Sequence, residues 1–168
     1  PDVMAATVKI SEALGVGIGA QPGYPDLVGF GRRDIDMTPS EVANAVTYQM
    51  GALLAFMSDK KLQHLKPHGA MYNKAVRDPA QAAAIVRAGL DFDPSMIQLL
   101  LAGSRWEKIA RDAGARVARE CFADRAVTPD GALAPRSQPN SVLHDINEVI
   151  DRSLRLVIEG RVTAVDGT

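Results

Sequence analysis

A single cysteine, Cys121, stands among 168 residues, which excludes an intrachain disulfide framework and a cysteine-rich zinc site. A lone thiol fits a reducing, cytoplasmic setting best. Excess charge of one sign is missing as well: 19 Lys+Arg meet 20 Asp+Glu, for a net charge of -1. With no basic surplus and no Lys/Arg run, the chain has little with which to neutralise a nucleic-acid backbone, so nucleic acid is not an expected partner. Long apolar runs are absent. The longest candidate, around Ala52–Met57, falls well short of the roughly 18 to 20 residues that span a bilayer. Two motifs are missing too: a GxxxxGK(S/T) phosphate loop and a GxSxG nucleophile elbow. Without them, a nucleotide-binding loop of that type and covalent serine catalysis are not expected. No charged and apolar leader pattern of a signal peptide opens the chain. It starts at Pro1-Asp2 directly in a helical pattern, from which we expect a truncated amino terminus.

What is present describes one globular domain, 46% hydrophobic, whose elements alternate. A helix carrying Val3, Ala6, Thr7, Ile10 and Leu14 closes at Gly15, and Val16–Ala20 follows as a buried strand. After the loop Gln21–Met37, Thr38-Pro39-Ser40-Glu41 forms a capping box with proline at the first helical position. Val42, Val46, Met50, Leu53 and Met57 then make an apolar stripe at helical spacing. Leu62–Lys66 reads as a second strand, broken into a loop by Pro67-His68-Gly69. Asp78-Pro79 starts a helix to about Leu90, Ile97–Leu101 is a third strand, a helix covers about Trp106–Ala113, and Ala115–Arg119 is a fourth strand. The Pro/Gly-rich segment Thr128–Pro139 suggests a hairpin or lid. A final helix over about Ser141–Glu159, holding His144, has Val142, Ile146, Val149, Ile150, Leu154 and Val157 on one face and the pairs Glu148–Arg152 and Asp151–Arg155 on the other.

Strands alternating with helices imply an α/β fold with a parallel sheet, either doubly wound or a (β/α) barrel. Polar residues favour the barrel. Gln21 and Asp26, Lys66 and His68, Ser104 and Arg105, and Glu120 and Asp124 each follow the end of a different strand, the face on which barrel active sites collect.

Three segments carry candidate chemistry. Gly19–Arg33 holds four glycines and two prolines, a compact backbone able to fix Tyr24, Asp26 and Arg32 without regular structure. Leu65–Asn73 places Lys66 and His68 two residues apart at a strand end, so both point to one side of the sheet. That sets a cation beside a group that can move a proton or bind a metal. Glu120–Arg125 puts Glu120, Phe122 and Asp124 on one side by alternation, near the Arg125 guanidinium. These carboxylates could position water, bind Mg²⁺ or form a salt bridge. By the same alternation Cys121 faces the core, and His64 and His144 are read as structural.

These segments, in this order, resemble the LamB/YcsF family. The resemblance is carried by GVGIGAQPGYPDLVGFGRR at Gly15–Arg33, YQMGAL at Tyr48–Leu53, LKPHGAMYNKA at Leu65–Ala75, ECFADRA at Glu120–Ala126 and PRSQP at Pro135–Pro139. It implies a seven-stranded-type (β/α) barrel related to glycoside hydrolase and carbohydrate deacetylase barrels, of which this chain would be a portion. It also implies ATP-dependent opening of the 5-oxoproline lactam to glutamate together with B and C subunits, with Mg²⁺ accompanying ATP. Two departures stand out: the family's amino-terminal Asp- and His-bearing segment is missing, and Gln21 stands where the family usually has His.

On this reading Lys66, His68, Asp26, Glu120 and Asp124 are the expected catalytic residues. Gln21, Tyr24, Arg32, Tyr72, Asn73 and Arg125 are the expected substrate contacts, and His68 is the best candidate for any metal. Two rival readings are a metal-dependent deacetylase or amidohydrolase needing no ATP, and a catalytically silent subunit that docks partners. Oligomeric state is open, a homo-oligomer included.

Overall fold

The computed structural model describes residues 1–168. Four strands, β1 (Gly19–Ala20), β2 (His64–Leu65), β3 (Ile97–Leu101) and β4 (Arg116–Glu120), form one parallel sheet in the order β1-β2-β3-β4. Six helices accompany them: α1 (Asp2–Ala13), α2 (Pro39–Leu54), α3 (Gly69–Arg77), α4 (Pro79–Phe92), α5 (Arg105–Asp112) and α6 (Ile146–Ile158). Helical crossovers join consecutive parallel neighbours, with no reversal of order among the four strands.

Register fixes which side chains share a face. Ala20, Leu65, Gln98 and Val117 lie side by side across the sheet. The first three are buried, and Gln98 Nε2 donates to the Val86 carbonyl of α4 at 3.1 Å, so this face is the one the helices cover. Gly89 lets α4 settle there, because a Cβ at this position would stand 2.6 Å from Gln98 Nε2 and 3.1 Å from Leu65 Cδ2. One level earlier, Gly19, His64 and Ile97 are in register and only half-buried on the opposite face.

Local chemistry explains the helix ends. The Thr38 side chain accepts from the Glu41 amide and the Glu41 carboxylate accepts from the Thr38 amide, the reciprocal box expected from the sequence. Val42, Val46 and Met50 of α2 are then fully buried. Asp78 caps α4 through the amides of Ala80 and Gln81, and Ser104 caps α5 through that of Glu107. The core these helices enclose includes Leu65, Met71, Ile85, Leu100 and Trp106.

Several expectations are corrected. The strands near Val16–Ala20 and Leu62–Lys66 shrink to two residues each. Pro67-His68-Gly69 does not open a long loop: α3 begins at Gly69, whose φ of +58° and 2.4 Å Cβ clearance to the Gly31 carbonyl admit only glycine. The last helix starts at Ile146, not Ser141, because the Asp145 carboxylate accepts from the amides of Asn147 and Glu148 and stops the pattern there. His144 therefore precedes the helix and is exposed. The pairs Glu148–Arg152 and Asp151–Arg155 do not form; Arg152 turns inward and donates to the Arg125 carbonyl at 2.7 Å. Ile146, Ile150, Leu154 and Val157 remain exposed, as do Val3, Ile10 and Leu14 of α1, whose one buried residue is Val8. Cys121 is exposed, not core, since the strand ends at Glu120 and alternation no longer applies. No helix is long and apolar enough to cross a membrane.

Candidate active site

A cleft of about 540 Å³ opens at the carboxyl ends of the strands. The chain continues beyond β2 with the Lys66 amide bonded to the Ala20 carbonyl at 2.9 Å and the His68 amide to that of Pro22 at 2.8 Å, which holds this segment beside the Gly-rich loop. Lys66, His68, Tyr72 and Asn73 line the cleft from this side, and Gln21 and Arg32 from the loop. Phe122 and Arg125 close it from beyond β4, and Leu133 to Arg136 from the Thr128–Pro139 segment. That segment folds back through an antiparallel bridge between Val127 and Leu133, so it forms a wall of the cleft.

At the base, Lys66 Nζ donates to Glu120 Oε1, joining the end of β2 to that of β4 across β3. The same ammonium stands 5.4 Å from the Phe122 ring centroid, a second favourable contact for a cation. Tyr72 packs edge-on against Trp106 at 5.2 Å and against Phe122 at 6.1 Å. Burial, then the charge of Glu120 and a hydrogen bond with its carboxylate, raise the Tyr72 phenol far above its ordinary value. Tyr72 Oη and Glu120 Oε2 are both buried, and neither makes a bond of full hydrogen-bond geometry. Glu120 does not itself line the cleft; it is tied to it through Lys66.

His68 is half-buried. Its Nε2 lies 2.9 Å from the Phe30 carbonyl and its ring stands edge-on to Phe30, centroids 5.2 Å apart. If the carbonyl accepts from Nε2–H, Nδ1 is left as the basic nitrogen. His68 stands alone as a metal candidate, with no group of three His, Cys, Asp or Glu side chains gathered anywhere in the chain.

The structure separates Asp26, Tyr24 and Asp124 from this group. Asp26 is buried in its loop, where Arg33 Nε approaches its two oxygens at 3.0 and 3.1 Å and the Gly29 amide donates at 2.8 Å. The Arg33 hydrogen bonds, with help from the Gly29 and Arg33 amides, hold its carboxyl down at about 2. A carboxylate so firmly ionised shapes the loop and is a poor proton shuttle at neutral pH. Tyr24 is buried, its hydroxyl without a partner and raised to about 12, by burial first and then by Asp34. Asp124 is exposed outside the cleft.

Arg125 is buried: Nε donates to the Ser141 carbonyl at 3.1 Å and Nη2 to that of Ala134 at 2.6 Å. Burial, and next the like charge of Arg136, pull its pKa below the ordinary arginine value. The sequence alone does not single out Arg33, Arg77 or Arg136, nor Gln49, whose amide clamps both the Gly23 amide and carbonyl, at 3.1 and 2.9 Å. The pair Arg32-Arg33 is the one available signal, and the locking role falls to its second member.

The profile of the LamB/YcsF family matches residues 1–168. Over 169 residues the chain is 49% identical to the A subunit of the 5-oxoprolinase of Pyrococcus furiosus, covering 99% of this chain and 66% of that protein. It is 52% identical over 167 residues to the protein of that name in Limosilactobacillus fermentum, covering 99% and 67%. A crystal structure of a lactam utilization protein from Thermus thermophilus superposes with a TM-score of 0.87 at 48% identity, covering 98% of this chain and 67% of that one. The chain thus spans about two thirds of the length of these relatives. Matched along its whole length by the family profile, the chain belongs to the LamB/YcsF family.

Proposed function

We propose that this chain is part of the A subunit of an ATP-dependent 5-oxoprolinase, opening 5-oxoproline to L-glutamate together with B and C subunits. Its sheet would form an arc of a (β/α) barrel, with the cleft at the barrel mouth. The observation that carries the reading is the gathering of Lys66, His68, Tyr72 and Arg125 on one cleft at the strand ends, with the Lys66–Glu120 ion pair beside it. The relatives named as oxoprolinase subunits and the lactam utilization protein support it.

A lactam is an amide, so opening it at neutral pH requires a better leaving group or electrophile than water alone provides. Transfer of a phosphoryl group from ATP to the lactam oxygen, releasing ADP, would activate the ring carbon. No phosphate loop of the GxxxxGK(S/T) kind lies in this chain, so we assign the phosphoryl donor, with its Mg²⁺, to the partner subunits. Water would then add to that carbon, losing a proton to His68. Cleavage of the ring C–N bond would follow, the nitrogen leaving with a proton as the α-amine and an acyl phosphate remaining. A second water would release phosphate and the side-chain carboxylate of glutamate.

Lys66 would offset charge on the carbon's oxygens, as a preorganised cation at the cleft. Arg32 or Arg125 suits the substrate carboxylate, because a guanidinium binds it bidentately. Gln21, Tyr72 and Asn73 would complete the contacts, and an amide at position 21 can orient substrate without moving a proton. The experiment is coupled turnover by the full-length protein with B and C present. Lys66→Ala and His68→Ala should each lower glutamate release by roughly 10² or more; full activity in both variants would refute the assignment.

A further inference from the structure

Four arginines line the cleft, Arg32, Arg77, Arg125 and Arg136, and none has a carboxylate within ion-pair distance. The one lysine lining the cleft, Lys66, is paired with Glu120. Asp130 feels the charge of Arg77 without reaching it as an ion pair. In a chain of net charge -1, so many unpaired guanidinium groups around one concavity repel one another and focus positive potential there, an arrangement that an anion relieves. A monocarboxylate such as 5-oxoproline calls for one of them, the role given above to Arg32 or Arg125. Of the three that remain, Arg77, from the last turn of α3, and Arg136, from the wall segment, are the two given no role so far, and both are exposed to solvent at the rim.

We propose that Arg77 and Arg136 form a second anion subsite in this cleft, taking a phosphoryl group carried by a small substrate. Two guanidinium forks suit a tetrahedral dianion better than a second planar carboxylate. Nucleotide is disfavoured as its carrier. The rings lining the cleft, Tyr72 and Phe122, are engaged edge-to-face with each other, and no phosphate loop of the GxxxxGK(S/T) kind is present. The inference rests on the oxoprolinase reading only for the source of the phosphoryl group. In that reaction it would hold the activated lactam and the acyl phosphate that follows it, keeping both from premature escape.

The test titrates the full-length protein with acetyl phosphate, inorganic phosphate and ATP in separate arms, followed by calorimetry and by ³¹P line broadening. Acetyl phosphate and phosphate should compete for one site. The double variant Arg77→Gln/Arg136→Gln should bind each at least tenfold more weakly, with an unchanged melting temperature, since both side chains are exposed. Affinity for acetyl phosphate and phosphate unmoved by the double variant, or no binding of either to the wild type, would overturn the subsite. ATP binding more tightly than acetyl phosphate through the same two arginines would overturn the substrate-borne assignment. If 5-oxoproline is turned over while phosphate affinity ignores the variant, the subsite fails and the oxoprolinase reading stands. Arginine-dependent phosphate binding without turnover in any mixture leaves the subsite standing and removes the oxoprolinase reading.

Discussion

Lys66, one residue past the end of β2, and Glu120, the last residue of β4, meet as an ion pair across the intervening strand, 54 residues apart in the chain. The pair ties the rim of the sheet together just where the cleft opens. Removing either partner strands the other in a mostly dry site. Lys66→Ala and Glu120→Ala should therefore each cost about 1 to 3 kcal/mol of stability. The double variant should cost less than their sum, which urea denaturation of all three variants measures directly. Strict additivity would mean that the two charges do not interact.

Asp26 and Arg33 make stability depend on acid. A carboxyl held at about 2 when folded and at its ordinary 3.8 when unfolded stabilises the fold fully above about pH 4 and loses that contribution as pH falls toward 2. The melting temperature of Asp26→Asn should start lower at neutral pH and fall less steeply than the wild type's between pH 4 and 2. Parallel curves in that window would dissociate Asp26 from the loop's acid sensitivity.

Gly69 joins α3 to the Gly-rich loop. Its φ is +58°, and an added Cβ would stand 2.4 Å from the Gly31 carbonyl oxygen, which accepts from the Ala70 amide. Backbone strain alone in Gly69→Ala is about 1 to 3 kcal/mol. Because the loop and α3 both line the cleft, KM for the lactam should rise in the same variant. Wild-type stability and KM in Gly69→Ala would contradict this geometry.

Tyr72 belongs to the same cluster as Lys66 and Glu120. Its buried hydroxyl hydrogen-bonds with the Glu120 carboxylate, so Tyr72→Phe removes that contact and should lower stability by about 1 kcal/mol. Because the ring lines the cleft, the same change should also raise KM for the lactam. Calorimetry and KM on one variant check both effects, and a gain in stability would show that the contact with Glu120 contributes nothing.

Legibility in the sequence follows the range of the interactions involved. The box Thr38–Glu41, the stripe Val42–Val46–Met50 and the strand Ile97–Leu101 are readable because each is decided by neighbours a few residues away. Helix α3 is hidden, since glycine after proline and histidine reads as a break, and what makes glycine obligatory there is the Gly31 carbonyl, 38 residues upstream. Lys66 and His68 do share one cleft, held there past the end of β2 by amide bonds to the Ala20 and Pro22 carbonyls, whereas past Glu120 the strand ends and Cys121 and Asp124 turn to solvent. Asp26 is legible as a fixed carboxylate; its lock, Arg33 in place of Arg32, is not, because adjacent arginines differ only in where the loop turns them. Arg77 and Arg136 carry no local signal at all, and only folding brings them to one cleft.

The central claim is tested most directly by glutamate release from 5-oxoproline, measured with the full-length protein alone and with the proposed B and C subunits, each with and without ATP. The account predicts release only when partners and ATP are both present, one ADP and one phosphate accompanying each glutamate. Release by the protein alone without ATP, or none in any mixture of folded components, would contradict it.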